Sequence, residues 1–178
     1  MSEPDLAVLI ALFYPDGTKL GDFEPIPGPD VPEPSKQLLV HEHHMTVTVE
    51  AFHKSLVDVS VLQKKVTPTH YAREILLSRQ SDGHVVQYGI VRLNLSYLSP
   101  EVQKRIVGEG TPLGRILIEH DVLRSIHLTA LWKVTPGEAL AKALRLPYPG
   151  APVVYGRTAM IYCNNEPAIE LLEIVTPD

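Results

Sequence analysis

The stretch His70–Ser78 reads HYAREILLS and has the residue content of a β-strand. Side chains of a strand point alternately to its two faces. Arg73 therefore shares a face with Ile75 and Leu77, which is the face that a hydrophobic core would cover. A buried guanidinium is costly unless it is paired or binds a ligand. The stretch thus predicts a strand and a candidate functional residue, Arg73.

A second inward charge is predicted in Ala168–Val175, which reads AIELLEIV. In this strand Glu173 shares its face with three apolar side chains, those of Ile169, Leu171 and Val175. Two interpretations stay open for Arg73 and Glu173. They form a structural ion pair or lie at the sheet rim with their stems buried, or they hold an anionic ligand in an enclosed pocket.

The pattern around these two stretches indicates hairpins with helices at the periphery. Strands are predicted over Leu56–Leu62, Arg73–Arg79, Val85–Leu95, Arg124–Val134, Val153–Tyr162 and Ala168–Val175, with hairpin turns at Ser81–His84 and Asn164–Asn165. Helices are predicted over Ser35–Glu42, Thr46–Lys54, Pro100–Val107 with Ser99 as N-cap, Thr111–His120 and Pro136–Leu146, and Pro147–Pro152 is predicted to be a loop. About six strands with hairpin connections predict an α+β domain built on an antiparallel sheet.

The segment Asp22–Pro34 is dense in proline, which removes backbone donors and blocks helix formation. We therefore expect an extended, solvated connector there. The predicted organisation is an N-terminal extension with a proline-rich linker over residues 1–37 and one folded domain over residues 38–178.

Composition excludes several classes of protein. The 178 residues carry a net charge of −5, which argues against a general nucleic-acid or membrane-surface binder. A single cysteine, Cys163, excludes an internal disulfide framework and a cysteine-based zinc site, and fits a reducing cytoplasm. The apolar stretch Leu6–Tyr14 follows Asp5 and lacks the basic residues of a signal peptide. A cytoplasmic protein with no membrane partner is expected.

Three local patterns are weaker candidates for a site. His41 and His44 have the spacing of metal ligands on a helix, but the sequence places no third ligand, so we expect no metal. Gly108–Gly110 lacks the lysine of a phosphate loop. Gly114 and Arg115 start a predicted helix, where backbone N–H groups suit a carboxylate, although ordinary helix initiation explains them equally well.

Five stretches, in order and with similar spacing, resemble the chorismate pyruvate-lyase family. They are His44–Thr46, Arg73–Leu77, Gly89–Leu98 leading into the Ser99–Pro100 helix start, Thr111–Arg115, and Gly156–Arg157 followed by Glu166–Pro167 and Glu173. Thr111–Arg115 is the most specific of them, and together they span roughly residues 38 to 177.

The resemblance implies an antiparallel sheet with helical flaps over an enclosed ligand cavity. It implies a carbon–oxygen lyase of the ubiquinone pathway that eliminates pyruvate from chorismate, leaving 4-hydroxybenzoate without a cofactor. Arg73 and Glu173 would be the catalytic anchors, and the backbone of Met45 and Leu113, beside Gly114, would hold the substrate. Because aromatisation drives the reaction, the protein would need to hold the dianion and stabilise charge rather than supply a strong nucleophile.

The sequence also departs from this family. Gly89-Ile90-Val91 stands where members of the bacterial ubiquinone pathway carry Gly-Arg-Thr, which leaves open whether Arg92 replaces the missing basic group. The rival interpretation is a non-catalytic sensor domain of the same fold, since fold does not fix function. Such regulators carry a basic helix-turn-helix, and the first ~40 residues offer none, which favours the enzyme.

Overall fold

The computed structural model describes residues 3–108, 110–147 and 152–176. Within them, seven strands form one antiparallel sheet in the order β1-β5-β6-β7-β4-β3-β2. The strands are β1 Gly21–Pro25, β2 Val57–Val66, β3 His70–Arg79, β4 Val85–Asn94, β5 Arg124–Pro136, β6 Val154–Cys163 and β7 Glu166–Val175. The α+β fold with an antiparallel sheet is confirmed, with one strand more than the sequence predicts.

Two antiparallel meanders make up most of the sheet. Strands β2, β3 and β4 form one, strands β5, β6 and β7 form the other, and the pairing of β4 with β7 joins them. The predicted turn at Asn164–Asn165 links β6 to β7, and both residues have positive φ angles, 52° and 67°. Two successive residues of positive φ are what a tight hairpin turn of matching twist requires, and asparagine tolerates them.

Short helices cover both faces of the sheet. They are α1 Leu6–Ala11, α2 Ser35–Leu39, α3 Met45–His53, α4 Pro100–Val107, α5 Leu113–Glu119 and α6 Glu138–Ala143. Apolar residues of α2, α3, α4 and α5 pack on the face that carries Ile75 and Leu171, whereas those of α1 and α6 pack on the face that carries Ile90 and Leu172. The two faces therefore have separate cores, and each strand alternates between them as the sequence predicts.

The proline-rich segment differs from its prediction. Asp22–Pro25, expected to be part of a solvated connector, pairs with β5 together with Gly21 as an edge strand. Pro25 is compatible with this position because an edge strand can lose one backbone donor. Leu9 and Leu20 are fully buried in the core that α1 covers. The segment before residue 38 thus packs on the sheet, while the division of the chain at residue 37 stays a prediction.

Several helix limits also differ from their predictions. Helix α2 begins at Ser35 as predicted, with Pro34 as its N-cap, but it ends at Leu39 rather than at Glu42. Pro136 ends strand β5 instead of starting a helix, and α6 begins at Glu138. Ser99 caps α4 as predicted, and its hydroxyl accepts the backbone N–H of Val102. Of the predicted loop at 147–152, residues 148–151 lie outside the described residues.

None of the helices in the described ranges is long and apolar enough to span a bilayer.

Candidate functional site

A cavity lies between the sheet and the first residues of α3 and α5, which we call the flaps. Its volume is about 40 Å³. Apolar side chains of β2, β3, β4, β6 and β7 form much of its wall, among them Val59, Ile75, Leu77, Val91, Ile161 and Leu171. The polar groups that reach it from the sheet are Arg73, Gln87, Arg157 and Glu173.

The structure brings together the five residues that the family resemblance implies for the site. Met45, Arg73, Leu113, Gly114 and Glu173 all line this cavity. They come from four different elements, α3, β3, α5 and β7, so their meeting is a property of the fold and not of local sequence. Their roles in binding or catalysis stay predictions.

The register of the strands sets the polar groups in three rows across the cavity floor. Arg73 lies in the first row, Gly89, Glu173 and Arg157 lie in the middle row, and Gln87 lies in the third. Arg73 pairs with Val91, which lies four residues from Gln87 along β4. Four strand residues span about 13 Å. The cavity floor thus has a cationic end and an amide end.

Gly89 lies in the middle row, where its neighbours leave little room for a side chain. A Cβ added there would lie 3.4 Å from the Ile75 side chain and 3.3 Å from the backbone oxygen of Leu172. Because the glycine has no side chain, the floor between Arg73 and Gln87 is low at this point, beside Glu173. This is the part of the floor on which a planar ring could rest.

Arg73 is 1% exposed. Its Nη1 donates to the backbone oxygen of Ile106 at 3.4 Å, at the end of α4. A guanidinium is permanently charged and presents five N–H donors in a planar fork, which matches a carboxylate. Arg73 therefore has the chemistry of an anion anchor.

Glu173 forms an ion pair with Arg157, not with Arg73. Arg157 Nε donates to Glu173 Oε1 at 2.9 Å, and Gln87 Nε2 donates to Glu173 Oε2 at 3.4 Å. The sequence left open an ion pair between Arg73 and Glu173, and in the structure the partner of Glu173 is Arg157 instead. An ion-paired carboxylate in a cavity is an acceptor for a hydroxyl or N–H donor of a ligand.

Arg157 is the main residue that the sequence interpretation missed. It is fully buried, and beyond Glu173 it donates to the backbone oxygens of His41 at 2.8 Å and His43 at 3.0 Å. It thereby fixes the segment between α2 and α3 to the sheet. A signal was present, because alternation along Val154–Cys163 sets Arg157 on the same face as two apolar residues, Ala159 and Ile161.

The two flaps meet closely above the cavity. A Cβ on Gly114 would lie 3.0 Å from Thr46 Oγ1 and 3.2 Å from the His44 side chain, so glycine permits this approach. Neither α3 nor α5 has a side-chain cap at its start. Arg115, the other candidate at this helix start, forms an ion pair with Glu50 and does not line the cavity.

His44 is a neutral member of the cavity wall. Burial, together with the guanidiniums of Arg124 and Arg157, lowers the pKa of His44 to about 4. Its Nε2 accepts the N–H of Arg124 Nε at 2.6 Å. His41 has its own partner, because its Nε2 lies 2.6 Å from the backbone oxygen of Leu38. The described residues hold no group of three His, Cys, Asp or Glu side chains suited to a metal ion.

Two further residues lie away from the cavity. Ile90 packs in the core on the opposite face of the sheet, and Arg92 stands on the same side, 3.9 Å from Glu170. Arg92 therefore does not supply a basic group to the cavity. Cys163 is buried in the core beneath α4 and α5, where burial raises the pKa of its thiol to about 11, as suits a structural cysteine.

No protein-family profile and no curated protein matches this sequence. Solved structures do match its fold. PhnF from Mycobacterium smegmatis is similar at a TM-score of 0.54 and 11% identity, over 78% of this chain and 66% of PhnF. The chain thus spans less than two thirds of that protein's length.

Two domain structures cover more of their own length. The effector domain of PhnF from Mycobacterium smegmatis matches at a TM-score of 0.54 and 11% identity, over 76% of this chain and 90% of that domain. The ligand-binding domain of a protein assigned to the GntR family of transcriptional regulators, from Bordetella bronchiseptica, matches at 0.50 and 13% identity, over 68% and 86%. At these identities the similarity concerns the fold.

Proposed function

We propose that this protein is a small-molecule-binding domain whose cavity takes an aromatic carboxylic acid, with 4-hydroxybenzoate as the reference ligand. The observation that carries the proposal is the cavity floor. The cavity walls are apolar. Its floor has the buried guanidinium of Arg73 at one end, and the carboxylate of Glu173 with the neighbouring amide of Gln87 toward the other. Ligand pockets in general are apolar with a few convergent polar groups that fix orientation.

In this proposal Arg73 binds the carboxylate of the ligand. Its fork can donate two parallel hydrogen bonds, which orient a planar acid as well as attract it. The ring then lies over Gly89, between the apolar side chains of Ile75 and Leu171. The backbone groups of Met45 and Leu113 close over it from the flaps.

Glu173 accepts a hydrogen bond from the far end of the ligand. Its position in the middle row leaves one ring length between it and Arg73, since two strand residues span about 7 Å. Arg157 holds the carboxylate in place and balances its charge. The pair is thus a fixed acceptor for a ring hydroxyl.

Binding requires movement of the flaps. A cavity of about 150 Å³ is known to hold benzene, and the present volume is about 40 Å³. The flaps approach each other at Gly114, Thr46 and His44 and are joined by the Arg115–Glu50 ion pair, but the buried apolar residues of α3 and α5 belong to separate clusters. We therefore expect α3 and α5 to separate when the ligand binds.

Two matched structures are an effector domain and a ligand-binding domain, and these descriptions support binding without catalysis. The test is calorimetry with 4-hydroxybenzoate on EDTA-dialysed protein. We expect saturable binding of one ligand per chain without added metal. The absence of both heat and a thermal shift at millimolar ligand would contradict the proposed site.

The second candidate is chorismate lyase activity. It is favoured by one observation, that all five residues implied by the family resemblance line the same cavity. In this reaction the ether bond to the ring breaks, the ring loses a proton as it becomes aromatic, and pyruvate leaves. Arg73 would hold the dianion and Glu173 would act at the ring oxygen or in proton transfer.

The lyase candidate is tested by incubating the protein with chorismate and measuring pyruvate and 4-hydroxybenzoate together. An enzyme would release both in equal amounts. Its Glu173→Gln variant would bind 4-hydroxybenzoate within about tenfold of wild type, yet turn over about 10²-fold more slowly. Protein that binds the aromatic acid but never releases pyruvate would leave the binding domain as the function.

A further inference from the structure

Gln87 has an unused acceptor at the far end of the cavity. The residue is 2% exposed and lines the cavity from β4. Its Nε2 donates to Glu173 Oε2, but among the described residues nothing donates to its buried Oε1. Buried polar atoms in folded proteins are almost always hydrogen-bonded. An unpaired buried acceptor in a cavity wall therefore indicates that a ligand in the cavity carries a matching donor.

The orientation of the Gln87 amide follows from its neighbours. If the amide were reversed, Oε1 would face Glu173 Oε2, and two acceptors would oppose each other. The ion pair with Arg157 holds Glu173 beside the amide. The nitrogen therefore faces Glu173, and the oxygen remains an acceptor at the amide end of the floor.

We infer that Gln87 determines ligand specificity by requiring a hydrogen-bond donor at the end of the ligand opposite its carboxylate. This inference rests on the proposed function and adds the class of ligand. The ligand is a cyclic acid whose far end carries a hydroxyl or an N–H group. An acid without such a donor leaves Gln87 Oε1 buried and unpaired, which is penalised more than the donor itself is rewarded.

The position of Gln87 supports this role. It lies two residues from Gly89 along β4, whereas Arg73 pairs opposite Val91, two residues from Gly89 in the other direction. A ring above Gly89 therefore has Arg73 toward one end and Gln87 toward the other. Because the Gln87 amide adjoins Glu173 Oε2, a hydroxyl at the far end of the ligand reaches an acceptor pair formed by Glu173 and Gln87.

The test compares two acids of nearly equal size on three proteins. 4-Hydroxybenzoate carries a donor, and 4-fluorobenzoate does not. Their dissociation constants are measured by calorimetry for wild type, for Gln87→Met and for Gln63→Met. The last is a control, because the exposed Gln63 also donates to a buried carboxylate, that of Glu74, but on the other face of the sheet.

We expect wild type and Gln63→Met to prefer 4-hydroxybenzoate by about tenfold or more, a difference of about 1.4 kcal/mol. In Gln87→Met the preference should fall to within about threefold, mainly because 4-hydroxybenzoate loses the acceptor for its hydroxyl. Gln87→Leu serves as a second apolar variant if the methionine variant does not fold.

The outcomes separate the two proposals. Wild type that binds neither acid would contradict the proposed function itself. Wild type that binds both acids equally would leave the aromatic-acid site standing but contradict the role of Gln87. A preference for the hydroxyl that survives in the apolar Gln87 variants, or that is lost equally in Gln63→Met, would also contradict it.

Discussion

Two buried carboxylates stand on opposite faces of the same sheet and are held in different ways. Glu74 is 1% exposed and accepts hydrogen bonds from Tyr14 Oη and Tyr88 Oη, both at 2.6 Å, and from Gln63 Nε2 at 3.0 Å. Glu173 is held by an ion pair with Arg157 and a longer contact from Gln87.

The two arrangements differ in whether a polar atom beside the carboxylate remains without a hydrogen bond. The phenols around Glu74 are pure donors here, because burial and the carboxylate raise the pKa of Tyr14 and Tyr88. They satisfy the carboxylate and tie the N-terminal segment to the sheet. The group around Glu173 keeps an unpaired amide oxygen and adjoins a cavity. Glu74 is thus satisfied within the fold, whereas Glu173 borders the cavity and is the carboxylate that we propose for ligand binding.

The largest expected effect comes from removing the counter-charge of Glu173. Arg157→Met leaves a buried carboxylate without its ion pair and frees the segment that holds His41 and His43. We expect the free energy of unfolding to fall by about 3–5 kcal/mol, measured by urea denaturation. Arg92→Met is the control, because the Arg92–Glu170 pair is long and partly exposed and is worth about 1 kcal/mol or less.

The double variant Arg157→Met with Glu173→Met sharpens this result. It removes both charges, so the penalty for an unpaired carboxylate disappears and part of the lost stability should return. If Arg157→Met is as stable as wild type, the pair does not carry the charge balance of this face. The same follows if the double variant loses more unfolding free energy than the two single variants lose together.

The second effect concerns the ligand and not the fold. Arg73→Met should weaken binding of 4-hydroxybenzoate by about 2–4 kcal/mol, since a charge-assisted contact to a buried carboxylate is lost. Arg73→Lys should restore only part, because lysine keeps the charge without the planar fork. Calorimetry on folded variants checks both. Unchanged affinity in Arg73→Met would remove Arg73 from the site.

The third effect is a pH dependence confined to the cavity face. His44 has a pKa of about 4 in the folded protein against 6.5 for an ordinary histidine, so the unfolded chain binds more protons between these values. The stability that neutral His44 contributes is therefore complete above pH 6.5 and is lost as the pH falls toward 4. The full shift is worth about 3 kcal/mol.

Denaturation of wild type and His44→Asn between pH 4 and 7 checks this prediction. The difference in unfolding free energy between them should shrink as the pH falls. His43→Asn is the control, because the His43 ring is exposed and its backbone oxygen, not its ring, contacts Arg157. A constant difference between wild type and His44→Asn across this range would mean that His44 titrates normally in the folded state.

Strand alternation predicted the inward positions of Arg73 and Glu173 because the period of two is a property of the backbone alone. The same rule could have identified Arg157. Its contacts with the backbone oxygens of His41 and His43 could not be predicted, since they depend on how the segment after α2 lies on the sheet.

The N-terminal segment shows a different limit of sequence interpretation. Its prolines indicate an extended chain, and extended chain is equally compatible with a connector and with an edge strand. Only the free edge of β5 decides between them, and that edge exists only once the sheet has formed. Tyr14 illustrates the same limit, because its partner Glu74 is 60 residues away in the sequence.

The smallest expected effect tests the other side of the comparison. Tyr88→Phe removes one donor from the buried Glu74 carboxylate while keeping the ring in its core. We expect a loss of about 1.5–3 kcal/mol in unfolding free energy, the usual value for a hydrogen bond to a charged group. Tyr14→Phe should cost less, because Tyr14 is only half-buried.

Affinity for 4-hydroxybenzoate should remain that of wild type in both, because the Glu74 group lies on the face away from the cavity. If either variant weakened ligand binding as much as Arg73→Met does, the two carboxylates would be coupled through the sheet, and Glu74 would have to be counted with the site.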